Sequence, residues 1–295
     1  MHTLILYIGF GLVTASVLCI GAIGFTLQFG ISNLFNLAFG ATMTLAAFVA
    51  YVCNVAGLSV WVALLLGTVA ASILSYLLNR GLYLPFKSRS TSLFAMIMVT
   101  LGVGLVIQYS VEAIWGATNF SYNMSPGGAL HLVGMVFTST QLVVIGIAVA
   151  EVVVVHTLLR FTRLGKAMRA VAVNERLARN CGIPVRLVVD STWLLSGALS
   201  GLAGVVLVMD VQVLNSNSGS DFFILIVAAA VVGGIGSPYG AMLGSLVIGI
   251  VGEICAGFVN AEFKDIAAFA ILVAVLLLRP TGIISSVSSV KEVAK

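Results

Sequence analysis

The chain has 295 residues, of which 60% are hydrophobic and 8% charged, with a mean hydropathy of +1.17. This excludes an ordinary soluble domain, in which roughly a quarter of the residues are charged. The formal charge is +4, from 14 Lys and Arg against 10 Asp and Glu, and the placement of those charges tells more than their sum.

A membrane helix needs about 20 mostly apolar residues. Segments 4–27, 34–52, 60–78, 93–114, 141–159, 187–209, 222–236, 241–258 and 266–278 fit this description. The expectation is an all-α polytopic membrane protein with about nine transmembrane segments (eight to ten), forming a single transmembrane domain over 1–295. The first segment has no Lys or Arg before it and no small-residue cleavage site after it, so it reads as a retained span and not as a signal peptide. Gln28, Asn33 and Asn36 flank the start of the second segment, and Thr42 and Thr44 lie within it. Amides in hydrocarbon need partners, so this segment is expected to face protein or a cavity.

Arg80, Lys87 and Arg89 follow the third segment and mark that connection as cytoplasmic. The loop 115–140 has no Lys or Arg and reads as external, with Pro126, Gly127 and Gly128 marking a turn. Glu151 and His156 lie within the fifth segment. Seven of the fourteen Lys and Arg residues then fall in 160–186, which makes that stretch cytoplasmic. The loop 211–221 lacks positive charge and reads as external, and Arg279, Lys291 and Lys295 place the C-terminus in the cytoplasm. The alternation is consistent with nine spans and an external N-terminus; Lys264 is the one positive charge left outside.

Treated as a helix, 163–182 puts Leu164, Ala167, Met168, Val171 and Ala178 on one arc and Lys166, Arg169 and Arg176 opposite, with Arg179 at the edge. Glu175 intrudes on the apolar arc, which points to a break at Asn174. A second short helix would then run over 175–180, ended by Gly182 and Pro184. Periodicity leaves two readings open: a basic surface helix on anionic lipid, or a coupling element that enters a groove on a soluble ATPase. Gly197, Gly201 and Gly204 share a face suited to close helix packing. The run Gly233-Gly234-Ile235-Gly236-Ser237-Pro238-Tyr239-Gly240 is either a tight helix hairpin or a broken element at a transport pathway. Residues 36–43 and 237–242 each lead a Gly-Ala step into an apolar span, a sign of a duplicated plan. Glu151 and Glu253 read first as structural intramembrane acids hydrogen-bonded to a neighbouring helix, with a functional role as the alternative. Cys19, Cys53, Cys181 and Cys255 are scattered, and His2, His131 and His156 lie apart from them, so no metal site and no catalytic constellation is expected.

Arg163-Leu164-Gly165-Lys166-Ala167-Met168-Arg169-Ala170, Ala178…Gly182-Ile183 and Gly197-Ala198…Gly201-Leu202-Ala203-Gly204-Val205 resemble the permease subunits of branched-chain amino acid ABC importers. So do Asn36-Leu37-Ala38-Phe39-Gly40 and the glycine run 233–240. The resemblance covers about 9–280. It implies an inner-membrane, multi-pass transport subunit of bacterial type with no catalytic residue. ATP and Mg would be held by two partner ATPases, alongside a homologous second permease and an external solute-binding protein. By the same resemblance the coupling segment is 172–182, and the residues expected to couple are Arg169, Asn174, Glu175, Arg179 and Gly182. The solute pathway is expected at Asn33, Asn36, Gly40, Gly234 and Ser237. Where family members often carry a His before the glycine, this chain has Phe39, which leaves urea, short amides and organic acids open as cargo beside leucine-type amino acids. An integral-membrane enzyme or a nontransporting receptor subunit is the rival class, and no nucleic-acid partner is expected.

Overall fold

The computed structural model describes residues 2–89, 92–124, 127–132, 135–260 and 263–284. Each of the nine apolar segments is a helix: α1 (His2–Ser32), α2 (Phe39–Val55), α3 (Val60–Leu78), α5 (Leu93–Trp115), α6 (Ser139–Phe161), α9 (Val185–Val211), α10 (Ser218–Gly233), α11 (Pro238–Phe258) and α12 (Phe263–Leu278). Three short helices join them: α4 (Leu84–Ser88), α7 (Arg163–Val173) and α8 (Glu175–Asn180). A π-helical turn, Asn79–Tyr83, links α3 to α4. Six of the nine, α1, α3, α5, α6, α9 and α11, are long and apolar enough to cross a membrane unaided; α2, α10 and α12 have 17, 16 and 16 residues. The all-α expectation needs one amendment. Loop 115–140 carries an antiparallel hairpin, β1 (Ala129–Leu132) paired with β2 (Met135–Thr138). The turn expected at Pro126, and Lys291 and Lys295, lie outside the described residues.

The connections sort to two ends of the bundle. At one end lies the hairpin, with β2 against α1; at the other lie Lys87 and the α7–α8 segment, called here the basic end. Lys264, the exception in the charge pattern, pairs with Glu253 of α11, which also accepts a hydrogen bond from Thr14 at 2.8 Å. Glu151, by contrast, is buried on α6, and neither of its carboxylate oxygens has a hydrogen-bond partner among the described residues.

Two helices begin in unexpected places. The second apolar segment becomes helical only at Phe39, after a non-helical stretch 33–38, and α10 starts at Ser218, after a similar stretch 212–217. The two stretches match residue for residue. Each opens with a non-glycine residue in the left-handed region, Asn33 (φ 49°) after α1 and Gln212 (φ 59°) after α9. Three residues on, an Asn closes a turn through its side chain: Asn36 Oδ1 accepts from the Ala38 amide at 3.1 Å, and Asn215 Oδ1 from the Asn217 amide at 3.0 Å. Four residues later each chain reaches a glycine, Gly40 and Gly219.

The packing carries the same correspondence. α1 packs on α11 as α9 packs on α3, α2 on α3 as α10 on α11, and α2 on α5 as α10 on α12. α1 and α9 run antiparallel, since Ser32 meets Trp193 and Gln28 meets Ser196. The chain is therefore an inverted repeat in which α1, α2, α3 and α5 correspond to α9, α10, α11 and α12. The duplication expected between 36–43 and 237–242 exists, but its register is 33–40 with 212–219. The Gly-Ala steps misled because they recur by composition, whereas the true match lies in backbone conformation and one asparagine.

α2 and α10 cross where their first turns touch. A Cβ on Gly40 would lie 2.8 Å from the Gly219 carbonyl oxygen, and one on Gly219 would collide with that of Gly40. Around the crossing, Phe25 meets Phe35, Phe39 and Phe223 edge to face, with ring centroids 5.3, 5.9 and 5.4 Å apart. Such pairs add about 0.5–1.5 kcal/mol beyond burial, and in lipid, where apolar surface gains little by leaving its surroundings, close packing of this kind holds helices together. Gly197 and Gly201 admit α3 to the face of α9, and Gly204 admits Met43 of α2, as the spacing predicts.

Gly219→Ala is expected to force the two backbones apart and destabilise the chain by roughly 1–3 kcal/mol. Thermal unfolding in detergent measures this, with Gly102→Ala as the control, because a Cβ at Gly102 meets nothing within 4 Å. Equal midpoints for the two variants would remove the crossing from the fold's determinants.

Candidate functional site

Non-helical backbone and first helical turns inside the bundle leave amides and carbonyls outside the helix ladder, and polar side chains of α1, α2, α5 and α9 gather around them. Thr100 on α5 donates to the Phe35 carbonyl at 3.1 Å. Thr42 and Ser200 both donate to the Phe39 carbonyl, at 2.7 and 3.3 Å, and lie 2.8 Å from each other. Thr44 accepts from the Gly219 amide at 3.0 Å. Gln28 Oε1 accepts from Ser196 at 3.2 Å and from Asn36 at 3.4 Å. Asn36 and Gly40 are thus buried in the crossing, held by hydrogen bonds and backbone contact.

The basic end holds the second arrangement. Thr162 caps α7 by accepting from the Gly165 amide at 3.0 Å. Asn174, extended at φ −160° and ψ 102°, ends α7 and caps α8 by accepting from the Leu177 amide at 3.0 Å. The break predicted at Asn174 and the short helix after it are both present. Met168, Val171 and Ala178 are buried, whereas Lys166, Arg169 and Arg176 are exposed. Gly182, at φ +80°, turns the chain back toward α9. A Cβ there meets nothing within 4 Å, so its left-handed backbone is what calls for glycine.

Glu175 joins this segment to the bundle. Its carboxylate accepts from Arg179 at 2.9 Å and lies 4.0 Å from Lys87 Nζ, which donates to the Ser32 carbonyl at 3.1 Å. Ser32 is the last residue of α1, and its Oγ accepts from Trp193 Nε1 of α9 at 2.9 Å. With side chains 52% and 41% exposed, the Lys87–Glu175 pair adds little stability but fixes direction. Asn33, Lys87, Asn174, Glu175 and Gly236 line one cavity of about 340 Å³, so one expected pathway residue and two expected coupling residues share a site. A neighbouring cavity of about 470 Å³ has Lys87, Glu175, Arg179, Asp190 and Trp193 in its walls.

Gly234 and Ser237 lie elsewhere. The glycine run is a tight turn between α10 and α11. Gly234 (φ 112°) is covered by Thr281–Ile284, whose amides at Ile283 and Ile284 donate to the free carbonyls of Val232 and Gly233 at 2.9 and 3.0 Å. Ser237 caps α11 through the Gly240 amide at 3.2 Å. The broken elements at depth are 33–38 and 212–217, and the hairpin reading of the glycine run is the one the backbone supports.

Three features carried no distinct signal in the sequence. Lys87 was one positive charge among several. The polar trio Gln108, Asn217 and Ser220 links α5 to the start of α10, with Gln108 Nε2 donating to Asn217 Oδ1 at 2.6 Å and Ser220 Oγ to Gln108 Oε1 at 3.3 Å. Asn217 is exposed, as are Leu105 and Tyr109, which flank Gln108 along α5. At the hairpin end, Asp210, Asp221, Glu253, Lys264 and Asp265 line a cavity of about 430 Å³. Among the described residues no group of three His, Cys, Asp or Glu side chains converges as a metal site.

Against known proteins, residues 7–276 match the family described as the permease component of branched-chain amino acid transport systems. The high-affinity branched-chain amino acid transport system permease LivH of Salmonella typhimurium is 28% identical, over 93% of this chain and 93% of its own length. The corresponding permease BraD of Pseudomonas aeruginosa is 29% identical over 93% of each chain. The galactofuranose transporter permease YtfT of Escherichia coli is 25% identical, over 92% of this chain and 79% of that one. Among solved structures, PsaBC of Streptococcus pneumoniae, in complex with a Fab, shares the fold, with a TM-score of 0.51, 15% identity and coverage of 93% and 92%. With a polytopic helical bundle and a match spanning nearly its whole length, the chain belongs to the permease components of branched-chain amino acid transport systems.

Proposed function

We propose that the chain is the membrane subunit of an ATP-driven importer for branched-chain amino acids in a bacterial inner membrane. Nine helices cross the bilayer, with the N-terminus and 115–140 outside and 160–186 and the C-terminus in the cytoplasm. A second permease completes the route, an external binding protein delivers and selects the solute, and two ATPases hold ATP and Mg. The observation that supports this best is the linkage at the basic end. The segment broken at Asn174 is tied through Glu175 and Lys87 to the Ser32 carbonyl, where the unwound stretch leading to the α2–α10 crossing begins.

In this reading α7 and α8 dock on an ATPase through Arg169, Asn174, Glu175, Arg179 and the Gly182 turn. When the ATPases close, α8 moves, Lys87 carries the displacement to the end of α1, and the two repeats rock about the crossing. Asn33, Asn36, Gly40, Gly234 and Ser237 act as the joints bordering the route. Gln108, Asn217 and Ser220 form its polar wall, since such side chains on a membrane-facing surface need water or protein beside them. The similarity to a galactofuranose permease supports a second reading with the same mechanism and a different cargo. Uptake by the reconstituted complex across amino acids, sugars, urea and organic acids decides between the two.

The double variant Glu175→Gln with Gly182→Ala is expected to lower ATP-driven uptake roughly tenfold, equal to about 1.4 kcal/mol, while the ATPases still co-purify. Wild-type uptake would refute the coupling assignment. Lys87→Glu is expected to impair uptake similarly, and Lys87→Glu combined with Glu175→Lys to recover it; no recovery removes Lys87 from the linkage. Gln108→Cys in an otherwise cysteine-free chain is expected to react with a water-soluble maleimide added outside. Protection in the assembled complex without solute would count against a wet wall.

A further inference from the structure

A cavity of about 370 Å³ opens at the basic end where α1, α6, α7 and the start of α11 meet. Leu27, Ile31, Leu159, Met168 and Pro238 give it apolar walls, and Arg169 and Tyr239 stand in its lining with exposed side chains. The Tyr239 hydroxyl lies 2.9 Å from His156 Nδ1, which fixes the ring. Among the described residues Arg169 has no ion-pair partner. Deeper in the lining, Thr26 is fully buried and its hydroxyl makes no hydrogen bond among the described residues. Among the described residues no Asp or Glu lines this cavity, so the ammonium of an amino acid finds no counter-charge from them there.

An apolar slot capped by a guanidinium and a tyrosine is the chemistry of the boundary between hydrocarbon and headgroups, and basic pockets between helices on the cytoplasmic side hold anionic headgroups. We propose that this cavity binds one anionic phospholipid of the inner leaflet, with its phosphate at Arg169 and the upper part of an acyl chain along Leu27, Ile31, Leu159 and Met168. The site rests on the orientation proposed above. The lipid touches the coupling helix α7 and the turn before α11 at once, so the anionic-lipid content of the membrane tunes transport through these two elements. Arg169 is thereby assigned to lipid, ahead of the ATPase.

The test is native mass spectrometry of the complex extracted from nanodiscs of phosphatidylcholine with or without phosphatidylglycerol. Wild type is expected to retain one phosphatidylglycerol. Arg169→Gln should retain it about fivefold less, as suits the loss of one basic contact, with Arg169→Lys intermediate. Ala172→Phe, which narrows the slot, should lose it, while Arg163→Gln should behave as wild type. Melting temperatures establish that each variant is folded. Equal losses in Arg163→Gln and Arg169→Gln would overturn the proposal in favour of diffuse surface attraction, and so would full retention in Ala172→Phe. Retention of added oleate but not of phosphatidylglycerol would overturn the phospholipid assignment in favour of a free fatty acid. Retention is read without transport, so failed uptake with intact lipid binding counts against the importer reading alone.

Discussion

In hydrocarbon there is no water to satisfy a peptide group, and this one constraint organises the bundle. Helices meet it internally, so the two stretches that are not helical, 33–38 and 212–217, determine what surrounds them. The hydroxyls of Thr42, Thr44, Thr100 and Ser200 and the amide side chains of Asn36 and Asn215 bond backbone groups of these stretches and of the first turns of α2 and α10. Helix packing follows from the same need. α9 and α5 must lie close enough for their hydroxyls to reach, and the glycines of α9 allow the approach on one side of the crossing.

Much of the architecture was legible in hydropathy. The nine apolar runs became nine helices because length and composition decide that outcome almost alone in a bilayer. The break at Asn174 was legible too, since a Glu on the apolar arc and an Asn before it are incompatible with one continuous amphipathic helix. The late starts of α2 and α10 were not. Leu34, Phe35, Leu37 and Val213 are as apolar as any helical neighbour, and what unwinds them is the left-handed turn at Asn33 and Gln212, a conformational fact with faint compositional trace. The repeat escaped for the same reason: its equivalences reside in φ angles and two Asx turns, while the Gly-Ala steps that caught the eye are chance products of a small-residue composition.

Charges divide along the same line. Arg80 and Lys87 gather at the same end of the bundle as the 160–186 segment, beside Asp190 and Glu175. Individually they do different work: Lys87 bridges two elements through Glu175 and the end of α1, whereas Lys264 is neutralised by Glu253. A count of charges does not reveal such linkages; geometry does.

The reciprocal contact of Gly40 and Gly219 has a mechanical corollary. The two residues are equivalents under the inverted repeat, so they touch on its pseudo-twofold axis, each presenting to the other the surface it receives. Any motion that exchanges the conformations of the two halves maps this contact onto itself. Opening one face while closing the other therefore requires no rupture at the centre of the bundle. In such a motion the Gly40–Gly219 contact is preserved, and the backbone left to adjust lies on either side of it, in 33–38 and 212–217.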